Sequence, residues 1–182
     1  MDSFVGEDGK VRCGWCANDE LYIEYHDQEW GRPVKGDDAI FERISLEGFQ
    51  AGLNWLMILK RREYLRKSFS NFKISEVRKM SEEQIESLMS DPGIIRNRRK
   101  ITSVIQNAKV IHDAAIPISD LVWSFQPTQT NTDHTRAVSK ESEQLSKELK
   151  KLGLGFVGPT TMYAMMQSIG MVNDHHPDCF LK

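Results

Sequence analysis

The sequence predicts an all-α protein, and this prediction has three grounds. Apolar residues recur at helical spacing through most of the chain, no segment alternates apolar and polar residues as a half-buried strand would, and residues typical of helix ends separate the stretches. The clearest helical run is Ile101, Val104, Ile105, Ala108 and Ile111. At 182 residues, 40% hydrophobic and 27% charged, the chain can bury one core, so we expect a single domain over residues 1–182.

The first two long helices are expected on either side of Gly52. Acidic Asp37 and Asp38 favour a helix start, and Ile40, with the apolar residues that follow it, has the spacing of a buried helix face. Gly52 interrupts that pattern. Asn54 can cap the next helix through its side-chain oxygen, and that helix carries several buried-type residues.

A tight break at the tripeptide DPG, residues 91–93, separates the next pair of helices. Before it, Ser81 and Gln84 have the spacing of a capping box. After it, the helical pattern continues to about Ala114. The segment therefore predicts a helix, a hairpin turn and a second helix.

The last third of the chain predicts shorter elements. We expect a short helix over 119–125, a polar loop over 126–138 and a charged helix over 141–152 that Gly153 ends. A final helix over 160–169 is expected to end at Gly170.

Cysteine usage and the absence of a targeting pattern predict a cytoplasmic protein without a membrane partner. The three cysteines are an odd number, which disfavours a secreted disulfide framework, and no run of apolar residues is long enough to span a membrane. Residues 1–11 lack a signal-peptide pattern and are expected to be a flexible N-terminal extension. Cys13 and Cys16 form a CxxC pair, but no thioredoxin-like context surrounds it.

Two segments at opposite ends of the chain contain potential ligands for a metal ion. They offer the thiols of Cys13 and Cys179 and the imidazoles of His26 and His175, which is the donor set of a closed tetrahedral zinc site. His175 and Cys179 are four residues apart and would share one face of a helical turn. The spacing is not that of a zinc finger, and buried apolar thiols with ordinary histidines remain the alternative interpretation.

Charge is distributed unevenly along the chain. Residues 1–59 hold 5 basic and 12 acidic side chains, whereas residues 60–109 hold 13 basic and 6 acidic ones. The densest clusters are KRR at 60–62 and RNRRK at 96–100. Such a centre is commonly a solvated helix face, but it also suits an anion-binding surface.

The hairpin turn is a candidate site for a phosphate of nucleic acid. Gly93 allows a sharp turn, amides at the start of the following helix can face an anion, and the helix dipole favours negative charge there. Arg96 and Lys100 follow immediately, so we expect them to contact a DNA backbone. The alternative is an αα-hairpin that only connects two core helices.

A second candidate site combines aromatic side chains with one acid. Trp15, Tyr25 and Trp55 belong, with Tyr22 and Trp30, to a group of rings in the first 55 residues, and Glu47 lies in the apolar run SLEGFQAGLNW. Most such rings are core residues. A buried carboxylate, however, needs a cation or hydrogen-bond donors, and an aromatic cage with one acid suits a flat, positively charged heterocycle.

An ordered set of motifs between about residues 12 and 179 resembles the DNA-3-methyladenine glycosylase I family of the helix-hairpin-helix glycosylase superfamily. Each motif is weak alone, but their order along the chain is specific. The motifs are RCGW, YHDQEWG, LEGFQAGLNW, DPGIIRNRRKI, LVWSF, GFVGPTTMYAMMQ and GMVNDH.

The resemblance implies a base-excision repair enzyme that acts on double-stranded alkylated DNA, releases 3-methyladenine by hydrolysis and leaves an abasic site. It implies a helix-hairpin-helix glycosylase fold and one structural Zn²⁺ per chain that joins the N- and C-terminal segments. A monomer, associated with the nucleoid if bacterial, is expected. The residues implied for each role are Glu47 as the catalytic group; Trp15, Tyr25, Glu47 and Trp55 for base recognition; Gly52 and Leu53 as a wedge in the DNA; Gly93, Arg96 and Lys100 for DNA contacts; and Cys13, His26, His175 and Cys179 as the zinc ligands.

Several alternatives accompany the interpretation of the chain as a glycosylase. Cys16 and His176 adjoin expected zinc ligands, and Pro159 opens the helix of the GFVGPTT motif beside the expected pocket rim. Asp113 is a rival catalytic carboxylate, because many relatives carry an aspartate about twenty residues past the hairpin. A noncatalytic zinc-stapled DNA-damage-binding protein would keep the hairpin and zinc without turnover. A metallohydrolase that uses zinc directly is disfavoured, because four protein ligands leave no position for water.

Overall fold

The computed structural model describes residues 2–17, 19–114, 117–128 and 136–182, and most of these residues are helical. No helix within those ranges has the length and apolar character needed to cross a membrane. The predominantly helical prediction is confirmed. The helices of the described residues are α1 (Glu20–Gln28), α2 (Asp37–Gln50), α3 (Trp55–Ser68), α4 (Ile74–Val77), α5 (Glu82–Ser90), α6 (Arg98–Asp113), α7 (Ile118–Trp123), α8 (Lys140–Lys151) and α9 (Pro159–Ser168).

The N-terminal segment departs from the all-α prediction. Strands β1 (Ser3–Val5) and β2 (Val11–Cys13) form a two-stranded antiparallel sheet over the segment expected to be a flexible extension. The Arg12 side chain explains this order, because its guanidinium is buried and forms ion pairs with Asp8 and Asp27. The amide of Phe180 donates to the carbonyl of Val11 at 2.9 Å, so the hairpin also contacts the C-terminal segment. Strands of three residues are too short to produce a visible alternation in the sequence.

The predicted helix starts agree with the structure. The Asn54 side chain accepts from the amide of Met57 at 2.8 Å, and Ser81 and Gln84 form a reciprocal capping box. Gly153 and Gly170 both have positive φ and follow α8 and α9, as expected for C-terminal caps. Helix boundaries shift from the predicted ones by one or two residues. Residues 129–135 of the predicted polar loop lie outside the described part of the chain.

Helix α2 lies at the centre of the fold. It packs against α3, α6, α7 and α9, and most of its side chains from Ile40 to Phe49 are buried. A helix that is apolar on nearly all sides needs neighbours on nearly all sides. The central position of α2 brings its C-terminal turn, which carries Glu47, between the N-terminal aromatic residues and α9.

The basic cluster KRR at 60–62 pairs with the acidic first third of the chain. Lys60 Nζ lies 2.7 Å from Asp19, and Arg62 Nη1 lies 2.6 Å from Glu29. Part of the positive charge of the central segment therefore forms ion pairs with the acidic first third of the chain. This cluster holds α3 against the N-terminal region, and only the second cluster, RNRRK, remains a candidate anion-binding surface.

Candidate functional site

A cavity of about 160 Å³ lies between the N-terminal region, α2, α3 and α9. A cavity of about 150 Å³ is large enough to admit one benzene ring. The structure brings together all four residues predicted to form an aromatic cage with an acid. The residues that line the cavity are Trp15, Tyr22, Tyr25, Trp30, Glu47, Gln50, Trp55, Ala164, Gln167 and Asp174.

Aromatic rings form the near walls of the cavity. The rings of Trp15 and Trp30 are 5.1 Å apart in an edge-to-face arrangement, and those of Tyr25 and Trp55 are 5.4 Å apart. These are the offset and tilted geometries that aromatic pairs prefer. Because the rings hold one another in place, their positions are fixed before any ligand enters.

Glu47 lines the cavity and is only 4% exposed. Burial raises the pKa of its carboxyl to about 8, and the charge of Arg43, one helical turn earlier, acts in the opposite direction. Its Oε2 atom receives no hydrogen bond from any described residue. An acceptor left unpaired in a buried site is costly, which favours a ligand that donates hydrogen bonds or carries positive charge.

The far wall of the cavity consists of Ala164 and Gln167 on α9 together with Asp174. The Gln167 Nε2 donates to Asp174 Oδ2 at 2.9 Å, and the Tyr163 hydroxyl donates to the same oxygen at 2.5 Å. Sequence reasoning missed this wall. Nothing local signals it, because Asp174 reaches the cavity only through the turn at Gly170.

Gln50 is a further lining residue that sequence reasoning missed. It lies three residues after Glu47 on α2, so helical spacing alone would have placed both on one face. Tyr22 and Trp30 also line the cavity, and both belong to the N-terminal aromatic group that the sequence indicated as a candidate site. The sequence therefore contained a signal for Gln50, because a polar residue three positions after a buried acid lies on the same face of the helix.

A cluster of three potential metal ligands lies next to this aromatic region. The Sγ atoms of Cys13 and Cys179 and one ring nitrogen of His26 all lie within 4.8 Å of one another, and all three residues are buried. Burial raises the pKa of the Cys13 thiol to about 12. Residues from both ends of the described chain thus meet at one point.

His175 lies beside this cluster but outside the group of three. Its ring centre is 5.2 Å from that of His26, and its Nε2 atom is buried without a hydrogen-bond partner among the described residues. Its Nδ1 lies 3.0 Å from Asn173 Oδ1. In His26, Nδ1 lies 2.8 Å from Asp27 Oδ1, so both imidazoles direct Nδ1 to an oxygen and leave Nε2 for another partner.

The neighbouring candidates Cys16 and His176 have other partners. The Cys16 thiol donates to the backbone oxygen of Cys13 at 3.1 Å, and His176 Nδ1 accepts from the amide of Asp178. Neither belongs to the group of three. Their side chains are therefore oriented by local turns.

The C-terminal segment is not the helical turn that the spacing of His175 and Cys179 predicted. Residues 171–182 form bends and turns, and the Cys179 amide donates to the carbonyl of His176 at 2.8 Å. Pro177 lies between the two and has no amide hydrogen to donate in a helix. A tight turn brings Cys179 to the cluster.

An exposed turn between α2 and α3 follows Glu47. Gly52 has a φ of +78°, which other residues rarely adopt, and Leu53 is 38% exposed. The Leu53 amide donates to the carbonyl of Gln50 at 2.6 Å. The predicted wedge residues thus lie at the surface, one turn away from the cavity.

The hairpin between α5 and α6 uses Gly93 for a different reason than predicted. Its φ is not in the left-handed region, but a Cβ atom there would lie 2.7 Å from the ring of Tyr64. Its amide donates to Asp91 Oδ1 at 2.7 Å. Gly93 therefore allows α3 to pack against the turn, and its own amide is already bonded within the protein.

The structure contradicts the prediction that Lys100 contacts DNA. Lys100 is only 6% exposed, and its Nζ donates to the backbone carbonyls of Phe49 at 2.7 Å and Ala51 at 2.6 Å. These carbonyls lie at the end of α2 and lack helical partners, so they attract a cation. A count of charges along the sequence cannot distinguish such a lysine from an exposed one.

The arginines of the same cluster remain at the surface. Arg96 and Arg99 are exposed, and Arg98 forms ion pairs with Glu82 and Glu86 of α5. The cluster is therefore divided among three roles. Arg96 and Arg99 retain the exposure that contact with a phosphate requires, Arg98 joins the two helices of the hairpin, and Lys100 is internal.

The rival carboxylate Asp113 lies away from the cavity. Its side chain is 74% exposed and pairs with His112 at the end of α6. It is not among the cavity-lining residues. Asp113 therefore does not belong to the aromatic cavity that contains Glu47.

Comparison with known proteins gives a consistent result over nearly the whole chain. A family model described as methyladenine glycosylase matches residues 15–182. DNA-3-methyladenine glycosylase 1 of Escherichia coli is 46% identical over 177 residues, which cover 92% of this chain and 95% of that protein.

Solved structures show the same likeness. A crystal structure of 3-methyladenine DNA glycosylase I superposes with a TM-score of 0.87 at 42% identity, covering 93% of this chain and 98% of that one. A structure of the Staphylococcus aureus enzyme, which concerns 3-methyladenine recognition, gives a TM-score of 0.85 at 31% identity and covers 93% and 95%.

Proposed function

Because this chain belongs to the methyladenine glycosylase family, we propose that it releases 3-methyladenine from alkylated double-stranded DNA and leaves an abasic site. The observation that supports this most directly is the buried Glu47 carboxyl that lines an aromatic cavity. The reaction is hydrolysis of the N-glycosidic bond. In this proposal Glu47 is the catalytic residue.

The charge of the substrate determines what the enzyme must supply. Methylation at N3 makes adenine cationic, so the base leaves as a neutral molecule and needs no proton from a general acid. Water attacks C1′ of the sugar and the electrons of the glycosidic bond move to the base. The protein selects the base, excludes competing bases and stabilises the positive charge as it moves to the sugar.

The cavity can perform these tasks with the residues that line it. The base is turned out of the duplex, a step that is easier for a damaged pair, and lies between the rings of Trp15, Tyr25 and Trp55. The negative faces of these rings attract an electron-poor base. A cationic base in the cavity favours the ionised form of Glu47. The carboxylate then accepts hydrogen bonds from the base edge, and its negative charge stabilises both the cationic base and the sugar cation.

We propose that the surface beside the cavity holds the DNA. The α5–α6 hairpin acts as a helix-hairpin-helix element, with Arg96 and Arg99 in contact with phosphates. Leu53, at the exposed turn, enters the space left by the extruded nucleotide. A monomer is sufficient, because the cavity, the wedge turn and the hairpin belong to one chain.

We also propose that Cys13, His26, His175 and Cys179 hold one structural zinc ion. Two thiols and two imidazoles suit zinc, and the buried unpaired Nε2 of His175 is an atom that a cation would satisfy. Asp27 and Asn173 orient the two rings as ligands require. The ion would join the two ends of the described chain and takes no part in the reaction.

Two other functions fit the observations less well. A metallohydrolase would need an open zinc position, which a site with four protein ligands does not offer. A noncatalytic damage-binding protein could use the same cavity to hold a cationic base, but the family to which the chain belongs is one of glycosylases. Measured turnover separates the latter from an enzyme.

The test is release of bases from DNA treated with a methylating agent. Chromatography of the released bases should show 3-methyladenine, and the DNA should become sensitive to alkali at the resulting abasic sites. A Glu47→Gln protein of normal fold serves as the matched control. Binding of the DNA without any released base would support the noncatalytic alternative.

A further inference from the structure

We propose that Gln167, in addition to Glu47, contributes to the preference for adenine over guanine, and that Tyr163 and Asp174 position it for this role. This inference rests on the proposed function of the cavity, because it assigns a group that reads the base within it. Gln167 lines the same cavity as Glu47. Its amide is the only carboxamide among the cavity-lining residues that a described side chain holds in place.

The orientation of the Gln167 amide follows from its partner. Its Nε2 lies 2.9 Å from Asp174 Oδ2, an oxygen that also accepts from the Tyr163 hydroxyl. An amide has one donor end and one acceptor end. Because one N–H of Nε2 is committed to Asp174, the orientation of the amide is fixed, and its acceptor Oε1 is free of any described hydrogen bond and available to a ligand.

A chain of hydrogen bonds fixes this orientation from outside the cavity. Arg136 Nε donates to the Tyr163 hydroxyl at 2.9 Å, and that hydroxyl donates to Asp174 at 2.5 Å. Tyr163 is fully buried and does not line the cavity. Tyr163 and Gln167 are four residues apart on α9, so both side chains reach the same carboxylate.

An acceptor at this wall distinguishes the two purines. Adenine carries an exocyclic amine at position 6, which donates, whereas guanine carries a carbonyl oxygen there, which accepts. An adenine-type base would pair its amine with an acceptor of the cavity. A guanine-type base would bring two acceptors together, and each would lose its hydrogen bond to water without gaining another.

The network protects this polarity against rotation of the amide. If Gln167 could turn by 180° about its last side-chain bond, it would offer Nε2 to the guanine oxygen and accept both bases. That rotation would place Oε1 against Asp174 Oδ2, so two acceptors would meet. Tyr163 strengthens the effect because its hydrogen bond holds Asp174 Oδ2 in position.

The experiment measures binding of two free bases, 3-methyladenine and 3-methylguanine, by quenching of tryptophan fluorescence. The cavity contains Trp15, Trp30 and Trp55, so occupation of the cavity should change the emission. We compare the wild-type protein with Gln167→Leu and Tyr163→Phe. Gln144→Leu, an exposed glutamine on α8, is the matched control. Asp174 stays unchanged, because it precedes the proposed ligand His175.

We expect the wild-type protein to bind 3-methyladenine more tightly than 3-methylguanine. Gln167→Leu should reduce that ratio by about 10- to 100-fold, the discrimination that one buried hydrogen bond supplies. Tyr163→Phe should reduce it by a smaller factor, about threefold, at an unchanged zinc content. The control should keep the wild-type ratio. Circular dichroism must first show a wild-type fold in each variant, because a general loss of fold would weaken binding of both bases alike and leave the ratio unchanged.

Three results would overturn the proposal: a wild-type protein that binds both bases equally, a Gln167→Leu protein that keeps the wild-type ratio, or a Tyr163→Phe protein that keeps it. Excision of both bases from DNA is measured in parallel. A reduced binding ratio in the variants, together with no excision by the wild-type protein, would support the role of Gln167 and reject the proposed function. The two hypotheses can therefore fail separately.

Discussion

The Nδ1 atom of His26 lies 2.8 Å from the carboxylate of Asp27, and the same carboxylate binds the guanidinium of Arg12. Asp27 thus connects the N-terminal hairpin with the ring proposed to bind a metal. The interaction leaves the Nε2 atom of His26 facing the two buried thiols of Cys13 and Cys179. Such a carboxylate–histidine pair is a common support for a zinc ligand.

The first prediction concerns this metal site. Purified protein should contain one zinc ion per chain, and Cys179→Ser should lose it and become less stable by several kcal/mol, because structural zinc sites couple binding to folding. Cys16→Ser is the matched control, since Cys16 is buried nearby but lies outside the group of three. Elemental analysis and urea unfolding provide the measurements. If Cys179→Ser has normal stability, the proposal that a zinc ion joins the two ends of the described chain is wrong.

The second prediction concerns catalysis by Glu47. Glu47→Gln keeps the size of the side chain but removes its negative charge, so single-turnover release of 3-methyladenine should slow by about 10- to 1,000-fold. Zinc content and fold should persist. Release of 7-methylguanine should be poor even in the wild-type protein, because it presents a different hydrogen-bonding edge to the fixed carboxyl. An unimpaired Glu47→Gln protein would place the chemistry on another residue.

The third prediction concerns the pH dependence of stability. Burial raises the pKa of Glu47 from its ordinary value of 4.5 to about 8, so the folded state favours the protonated form. The raised pKa adds to the free energy of unfolding. This added stability is fully present below about pH 4.5 and is lost as pH rises through about 8, at up to about 1.4 kcal/mol per pH unit. Glu47→Gln avoids that loss.

Urea unfolding at several pH values checks this expectation. Glu47→Gln should gain stability relative to the wild-type protein between about pH 5 and pH 9, by a few kcal/mol in total. Glu24→Gln, which changes an exposed glutamate on α1, should show no such trend. If the difference between Glu47→Gln and wild type stays constant with pH, the carboxyl is not protonated by burial.

The fourth prediction concerns the exposed arginines of the hairpin. Replacing both Arg96 and Arg99 with alanine should weaken duplex binding and reduce the slope of log K against log salt by up to about 2, since each phosphate contact contributes about 0.9. Preference among damaged bases should remain, because phosphate contacts position the protein without reading sequence. Arg98→Ala, which removes an arginine already paired with α5, is the comparison. If the slope is unchanged in the double variant, Arg96 and Arg99 lie on a solvated face that does not contact DNA phosphates.

The fifth prediction concerns the buried Lys100. Lys100→Met should destabilise the protein by about 2–4 kcal/mol, because two backbone carbonyls lose a charged donor. The salt slope of DNA binding should not change. Lys109→Met, an exposed lysine of the same helix, should unfold like the wild-type protein. A Lys100→Met protein of normal stability but flatter salt dependence would restore Lys100 as a DNA contact.

The sequence allowed prediction where the cause was local. Asn54 and the capping box at Ser81 depend on neighbours within a few residues, so their helices were found at the right places. Glu47 was found because a carboxylate in an apolar run needs an explanation wherever it lies. The aromatic side chains around it came from the same N-terminal region.

Long-range contacts were beyond such reasoning. Lys100 was assigned to the surface because its internal partners, the carbonyls of Phe49 and Ala51, are about fifty residues away in sequence. Gln167 and Asp174 were missed for the same reason, since they become cavity-lining residues only when α2 and α9 come together. The short β-strands were missed because three residues cannot establish an alternation.

The turn at Gly52 and Leu53 is anchored before any DNA is present. Lys100 holds the carbonyls on the N-terminal side of the turn, Leu53 donates to Gln50, and Asn54 caps the helix that follows. Little backbone conformational entropy therefore remains to be lost when the turn meets a duplex. In the proposed complex with DNA, Leu53 would keep its position, and the duplex would supply most of the deformation on binding.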